Sequence, residues 1–242
     1  MSMEPVSTRK QLEADLTELK RMVLRLGKMA EESISKAIWA LKNQDAELAR
    51  TVLAKDDDID DLAEALDNAC MHFAARFQPL GEDLRAVTSI MHMAVDLERI
   101  GDYGGNIAKV AAELADKELI KPLIDIPRML DVLSAMMSKA LAAFDTNNAE
   151  MAKEVFAMDD MMDDLEKQIM RELLLLMMER PQRIEQATQL LNVARTLERG
   201  GDHVTNVAER VVYILTGKTV KASAFRRPRP AALNGRKEHE ER

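Results

Sequence analysis

Apolar residues recur at intervals of three and four along nearly the whole chain, so the sequence reads as helix from residue 8 to residue 215. Leu12, Leu16, Leu19, Val23, Leu26, Ala30, Ser33, Ala37 and Ala40 form one stripe that ends near Asn43. Thr8-Arg-Lys-Gln11 has the form of a capping box ahead of it. Asp45 can cap a second helix, with Leu48, Val52, Ile59, Leu62, Leu66 and Ala69 facing inward and Pro79 and Gly81 ending it. A third helix covers about 82–114, and the stretch 120–127 then breaks the pattern. A fourth follows through Leu130, Leu133, Met137, Leu141 and Phe144, and Thr146-Asn147-Asn148 makes a turn and cap. A fifth runs from 149 to about 178, where Arg180-Pro181 stops it. The sixth spans 184–215, with Gly217 where a helix-ending glycine belongs.

The pattern repeats internally. Leu97-Glu98-Arg99-Ile100-Gly101-Asp102 and Leu197-Glu198-Arg199-Gly200-Gly201-Asp202 differ at one position, and each continues to Asn-[Ile/Val]-Ala, at Asn106 and Asn206. Ser35-Lys36-Ala37 matches Ser138-Lys139-Ala140, and Asp56-Asp57-x-x-Asp60-Asp61 matches Asp159-Asp160-x-x-Asp163-Asp164. The offset is 103 there and 100 at the Glu-Arg stretches, so three residues are lost in the second copy's last turn. A self-similar period of this kind is the signature of a duplicated unit. The expected fold is all-α: two tandem three-helix bundles of long antiparallel helices, over 8–116 and 120–217, related by a pseudo-two-fold.

Composition narrows the function. The net charge of −8 argues against a nucleic-acid-binding body. Residues 218–242 hold eight Lys/Arg against three Glu, so the rest of the chain carries −13. With Arg226-Arg-Pro-Arg-Pro230 and little apolar content, this end is expected to stay outside the packed body as a disordered basic tail. Cys70 is the only cysteine, which excludes an internal disulfide and suits a reducing compartment. No apolar window is long enough for a membrane span and no leader pattern precedes residue 8, so a cytoplasmic, soluble protein is expected. Leu173-Leu-Leu-Leu-Met-Met178 is apolar all round, which predicts cover on several sides, including another subunit or a partner.

Glu98 and Asp102 lie four apart, as do Glu198 and Asp202, so each pair shares one helix face a turn apart, with Asn106 and Asn206 a turn beyond. Both glutamates interrupt lines of apolar or small residues: Met91, Ala94, Glu98, Gly101, Gly105 in one copy and Leu191, Ala194, Glu198, Gly201, Thr205 in the other. Asp56 and Asp60, and Asp159 and Asp163, repeat the spacing on the preceding helices. If those helices pack on their neighbours, four carboxylates gather in each half and repel unless neutralised. A multivalent cation is the simplest neutraliser, and an oxygen-only set suits hard ions such as magnesium, manganese, calcium or ferric iron. Glycines at 101 and 201 make room for something bulky, a metal cluster or another helix. His72, His92 and His203 have no repeated role, since Tyr103 stands where His203 does in the other copy. No glycine-rich phosphate loop, Ser/His/Asp set, Cys/His set or Glu-x-x-His di-iron motif occurs, so no catalysis is expected.

The two Glu-Arg-x-Gly-Asp-x-x-x-Asn stretches, the Asp-x-x-x-Asp pairs and the doubled three-helix layout resemble the PhoU family over about 8–217. The resemblance implies metal sites at Asp56, Asp60, Glu98 and Asp102, and at Asp159, Asp163, Glu198 and Asp202, with Arg99, Arg199, Asn106 and Asn206 in support. It implies multinuclear metal, iron or zinc among others, with magnesium and manganese also suited. It further implies a negative regulator of the phosphate-starvation response. Such a regulator acts between the ATPase subunit of a phosphate ABC transporter and a membrane sensor histidine kinase, without catalysis or nucleic acid, and is expected as a homodimer. The alternative is a carboxylate-bridged metalloenzyme, a hydrolase or oxidase, in a helical bundle.

Overall fold

A computed structural model describes residues 5–225. Helix α1 (Pro5–Asn43) buries Leu19, Val23, Leu26, Ala30, Ile34, Ala37 and Leu41 almost completely. It already covers Thr8, so the expected capping box lies inside the helix. α1 ends at Gln44, whose backbone is left-handed (φ 56°). The Gln44 amide nitrogen then donates to the carbonyls of Leu114, Ala115 and Lys117 at 3.0, 3.2 and 2.6 Å, satisfying the end of another helix. Asn147, its counterpart in the second half, is also left-handed (φ 53°) and accepts from Lys20 Nζ at 3.0 Å.

Asp45 caps α2 (Ala46–Leu53) as expected, accepting from the N–H groups of Glu47 and Leu48. The single second helix of the sequence reading is interrupted at Ala54-Lys55 and resumes as α3 (Asp56–Phe77). Three aspartates, Asp56, Asp57 and Asp58, fill the first turn of α3, where the helix dipole favours negative charge. The second half has Met161 in place of the third, and its helix runs unbroken. The chain continues through α4 (Gly81–Leu114), α5 (Asp125–Asp145), α6 (Ala149–Glu179) and α7 (Ile184–Thr216). Pro127 lies within the first turn of α5 rather than before it, a position where its missing N–H costs nothing. Among the described residues there is no strand, and the six expected rods are present with the second one broken.

Paired side chains set the directions. α1 and α4 are parallel, tied by Arg9 to Asp83 (2.8 Å) at one end and by Gln44 at the other. α4 and α7 are antiparallel, with Gln189 on Glu113 (2.6 Å) and Asn206 on Asp96 (3.0 Å). α5 packs antiparallel on α1, and α3 and α6 cover the outside of their own halves. Two three-helix bundles therefore share one central layer of α1, α4, α7 and α5. The tightest of the described glycines in that layer is Gly104: a Cβ there would lie 2.1 Å from Ser33 Oγ and 2.9 Å from the Ile34 nitrogen.

The connection between halves is tied to the start of α7. Gln186 accepts from the Ile120 N–H (2.6 Å) and donates to the Glu118 carbonyl (3.1 Å), while Ile120 and Leu123 are buried. The start of α1 and the end of α7 meet at the start of α4, where Arg9 pairs with Asp83 and the Arg85 guanidinium lies against Gly217. Gly217 is left-handed (φ 69°), as its place in the sequence predicts.

The expected tail departs in part. Beyond Gly217 the chain stays packed as far as Phe225: Ala222 is buried, its N–H donates to Glu209 Oε1 (2.6 Å), and the Phe225 ring lies 5.4 Å from that of Phe156. The apolar Ala222 and Phe225 supply that anchor; the disorder expected for 226–242 falls outside the described residues. On α6, Leu173 is buried, but Leu174, Leu175 and Met178 are exposed, beside an exposed Ile184 on α7. The described chain therefore leaves part of that run uncovered. No described helix is long and apolar enough to cross a membrane.

Candidate metal centre

Packing of α3 on α4 brings the first set of acids together. Gly101 admits Ile59, which would lie 2.8 Å from a Cβ, and Gly105 admits the Asp56 carboxylate, also at 2.8 Å. In the second half Gly201 faces Met162 of α6 at 3.3 Å. The room made by these glycines is thus taken by a neighbouring helix, which carries the remaining acids.

Asp60, Glu98 and Asp102 each place one carboxylate oxygen within 4.8 Å of the others. A hard cation bonds oxygen at about 2.0–2.6 Å, so opposite ligands of one ion stand about 4–5 Å apart. The donor set and its span fit such an ion. Burial raises Glu98 above the usual carboxylate range, followed by the charge of Asp102, with Arg99 opposing. Asp60 and Asp56 are raised in the same order, by burial and then by Asp102. Asp56 lies outside the convergent triad but within its field, against Gly105. Arg99 holds Asp102 at 2.9 Å and stands 3.7 Å from Glu98, which supplies part of the countercharge. Asn106 is exposed on the next turn.

The second set is more enclosed. Asp159 is 2% exposed, whereas its counterpart Asp56 is half-buried. Glu198 is pushed up to about 6, first by burial and then by the charges of Asp202, Asp163, Asp159 and Glu166. The other three expected acids therefore all act on Glu198 here, and Glu166 joins them. Lys167 approaches Asp163 at 3.4 Å, and Arg195 approaches Glu166 at 3.8 Å. The charge of Arg199 acts on Tyr103 across the interface between the halves. Asn206 turns away from the acids to donate to Asp96 of α4.

A polar chain between the halves was not foreseen. Tyr103 Oη and His203 Nε2 are 3.1 Å apart, His203 Nδ1 lies 2.8 Å from Asp96 Oδ1, and Asn206 completes the set. A lone Tyr and a lone His at equivalent positions are here partners across the pseudo-two-fold. No repeat pointed to Asp96, whose counterpart is Thr196.

A duplicated all-helical protein with a carboxylate cluster on each half is thus defined. The PhoU domain model matches twice, over residues 23–111 and 126–211. The chain belongs to the PhoU family. It is 39% identical over 214 residues to the phosphate-specific transport system accessory protein PhoU homolog of Clostridium acetobutylicum, covering 88% of this chain and 98% of that one. The crystal structure of PhoU from Pseudomonas aeruginosa superposes with a TM-score of 0.82 at 33% identity, covering 85% of this chain and 99% of that chain. The phosphate transport system regulatory protein PhoU from Streptococcus pneumoniae gives a TM-score of 0.81 at 32% identity, over 87% and 99%.

Proposed function

We propose that this protein is a cytoplasmic accessory regulator of phosphate-specific transport, a metal-binding adaptor that represses the phosphate-starvation response and carries out no catalysis. The two-fold gathering of acids around Glu98 and Glu198 carries the metal part of this reading. The names of its relatives support the phosphate part. Asp60, Glu98 and Asp102, with Asp56 beside them, would hold one ion or cluster; Asp159, Asp163, Glu198 and Asp202 would hold the other. Bound metal would supply charge neutralisation, joining α3 to α4 and α6 to α7. The partners are the transporter's ATPase subunit and a membrane sensor kinase, met by long helical faces, and the protein acts as a homodimer. The open apolar end of α6 is a face suited to such contacts.

The test has two arms. Deleting the gene should switch on phosphate-starvation genes in phosphate-replete cells; unchanged repression would sink the regulatory reading. Glu98→Gln with Asp102→Asn should remove about half the bound iron, zinc or manganese and leave the fold intact, because lost ligation is offset by relieved repulsion. Unchanged metal content would return these acids to a solvated face.

A further inference from the structure

The break at Ala54-Lys55 lies against a cavity of about 150 Å³ between α1 and the α2–α3 junction. Buried Val52 and Ile59 line it on the core side, and Glu32, Ser33, Lys36, Thr51, Lys55 and Asp58 supply its polar lining. The second half closes the same place in two ways. Met136, Met158 and Met162 stand where Ser33, Lys55 and Ile59 do, and they pack into the core. Lys139, the counterpart of Lys36, reaches across to Glu154 of α6. In the first half Thr51 stands in that glutamate's place, and Lys36 pairs instead with Glu32 of its own helix at 3.0 Å. Lys36 foremost, then the charges of Lys28 and Lys55, hold Glu32 below the usual carboxylate range. Lys55, the N-cap of α3, gives no side-chain acceptor to that helix's first N–H groups, although Asp45 does so for α2.

We infer that this cavity binds a small oxyanion that still carries a proton, free phosphate, whose oxygens take the place beside Lys36 and Lys55 that the Glu154 carboxylate takes beside Lys139. Room is sufficient: one water needs only about 15 Å³, and phosphate is a single tetrahedral group. The two ammonium groups supply charge-assisted donors. The Lys36–Glu32 pair is exposed and adds little to stability, so Lys36 can turn to the anion at small cost. Glu32 and Asp58 give the selectivity. An ionised carboxylate only accepts hydrogen bonds. Phosphate keeps a proton at neutral pH and can donate it to either carboxylate, whereas sulfate has none to give and is repelled. A bound anion would tie α1 to the start of α3, the helix that carries Asp56 and Asp60. Phosphate binding here depends neither on metal in the acid clusters nor on the regulatory role.

The experiment is isothermal titration of the purified full chain with inorganic phosphate, with and without EDTA, beside sulfate and glycerol 3-phosphate. Phosphate should bind equally in both buffers and at least about tenfold more tightly than sulfate. Thr51→Glu rebuilds the second half's bridge, and Lys55→Met installs the residue found at 158, so both suit the fold. Each should weaken phosphate binding about tenfold or more, the scale of one charge-assisted contact, with an unchanged circular dichroism spectrum. Glu32→Gln with Asp58→Asn should keep phosphate binding and admit sulfate about equally. No uptake at about 10 mM phosphate would overturn the site. Uptake that neither Thr51→Glu nor Lys55→Met weakens would place phosphate elsewhere, and uptake abolished by EDTA would place it on bound metal; either overturns the site. Sulfate bound as tightly as phosphate by the unaltered chain would overturn the selection by proton. Tighter binding of glycerol 3-phosphate would make a phosphate ester the occupant and overturn free phosphate.

Discussion

At Glu198 the proposed metal would compete with a proton. The folded pKa of Glu198 is raised to about 6 from an ordinary 4.5, so the folded state holds the proton more tightly than the unfolded one. The stabilisation from that proton is fully present below pH 4.5 and is lost as pH rises through about 6. Metal-free protein should therefore lose thermal stability across that window, and Glu198→Gln should flatten the profile. Metal uptake at the second cluster should weaken in the opposite direction, as pH falls through about 6, because a ligating carboxylate must be ionised. Two glycines make a second contrast. Gly104→Ala meets the backbone of α1 and should cost about 2–3 kcal/mol in denaturant unfolding. Gly200→Ala meets only the tip of Leu133 at 3.2 Å, and the better helix propensity of alanine, about 1 kcal/mol, should offset most of that contact. The acids of both clusters were legible because they repeat and because glutamate is out of place on an apolar line. Tyr103, His203 and Asp96 were not, for a physical reason: groups on a pseudo-two-fold face each other, so they must complement rather than match.

Helix ends, more than helix interiors, separate the elements as observed from those expected. Periodicity gave every rod, since each buries one stripe. It could not show the break at Ala54-Lys55, because the stripe through Val52 and Ile59 continues across it. Nor could it assign the Gln44 side chain to the end of α4, a contact 70 residues away in sequence. Gln44→Ala should strip the Leu114, Ala115 and Lys117 carbonyls of their side-chain donor, Leu114 keeping the Lys117 N–H, and lower stability by about 1–2 kcal/mol, with faster amide exchange in the last turn of α4. At the other end of the chain, the last short element is part of the packed body. Removal of 218–242 should lower the thermal transition, because Ala222 and Phe225 leave the α6–α7 face, whereas a chain ending at Phe225 keeps that packing.

At the scale of the whole molecule, the central layer makes the two halves inseparable in packing while leaving them alike in design. α4 and α7 meet along the pseudo-two-fold, joined by the Tyr103–His203–Asp96–Asn206 chain. His203→Ala should loosen that seam while removing no carboxylate from either acid cluster, which urea unfolding monitored beside metal content can separate. The duplicated plan was readable in the sequence from its two offsets; the shared layer was not, since nothing in one repeat specifies which face of its twin it meets. Because Arg9 and Gly217 both rest at the start of α4, the run from α1 to α7 nearly closes on itself. The order in which the halves are translated is then incidental. A circularly permuted gene, opened in the 115–124 connection and rejoined from Gly217 to Arg9 by a few glycines, should fold to the same helical body, less the Ala222–Phe225 anchor, with its second bundle made first.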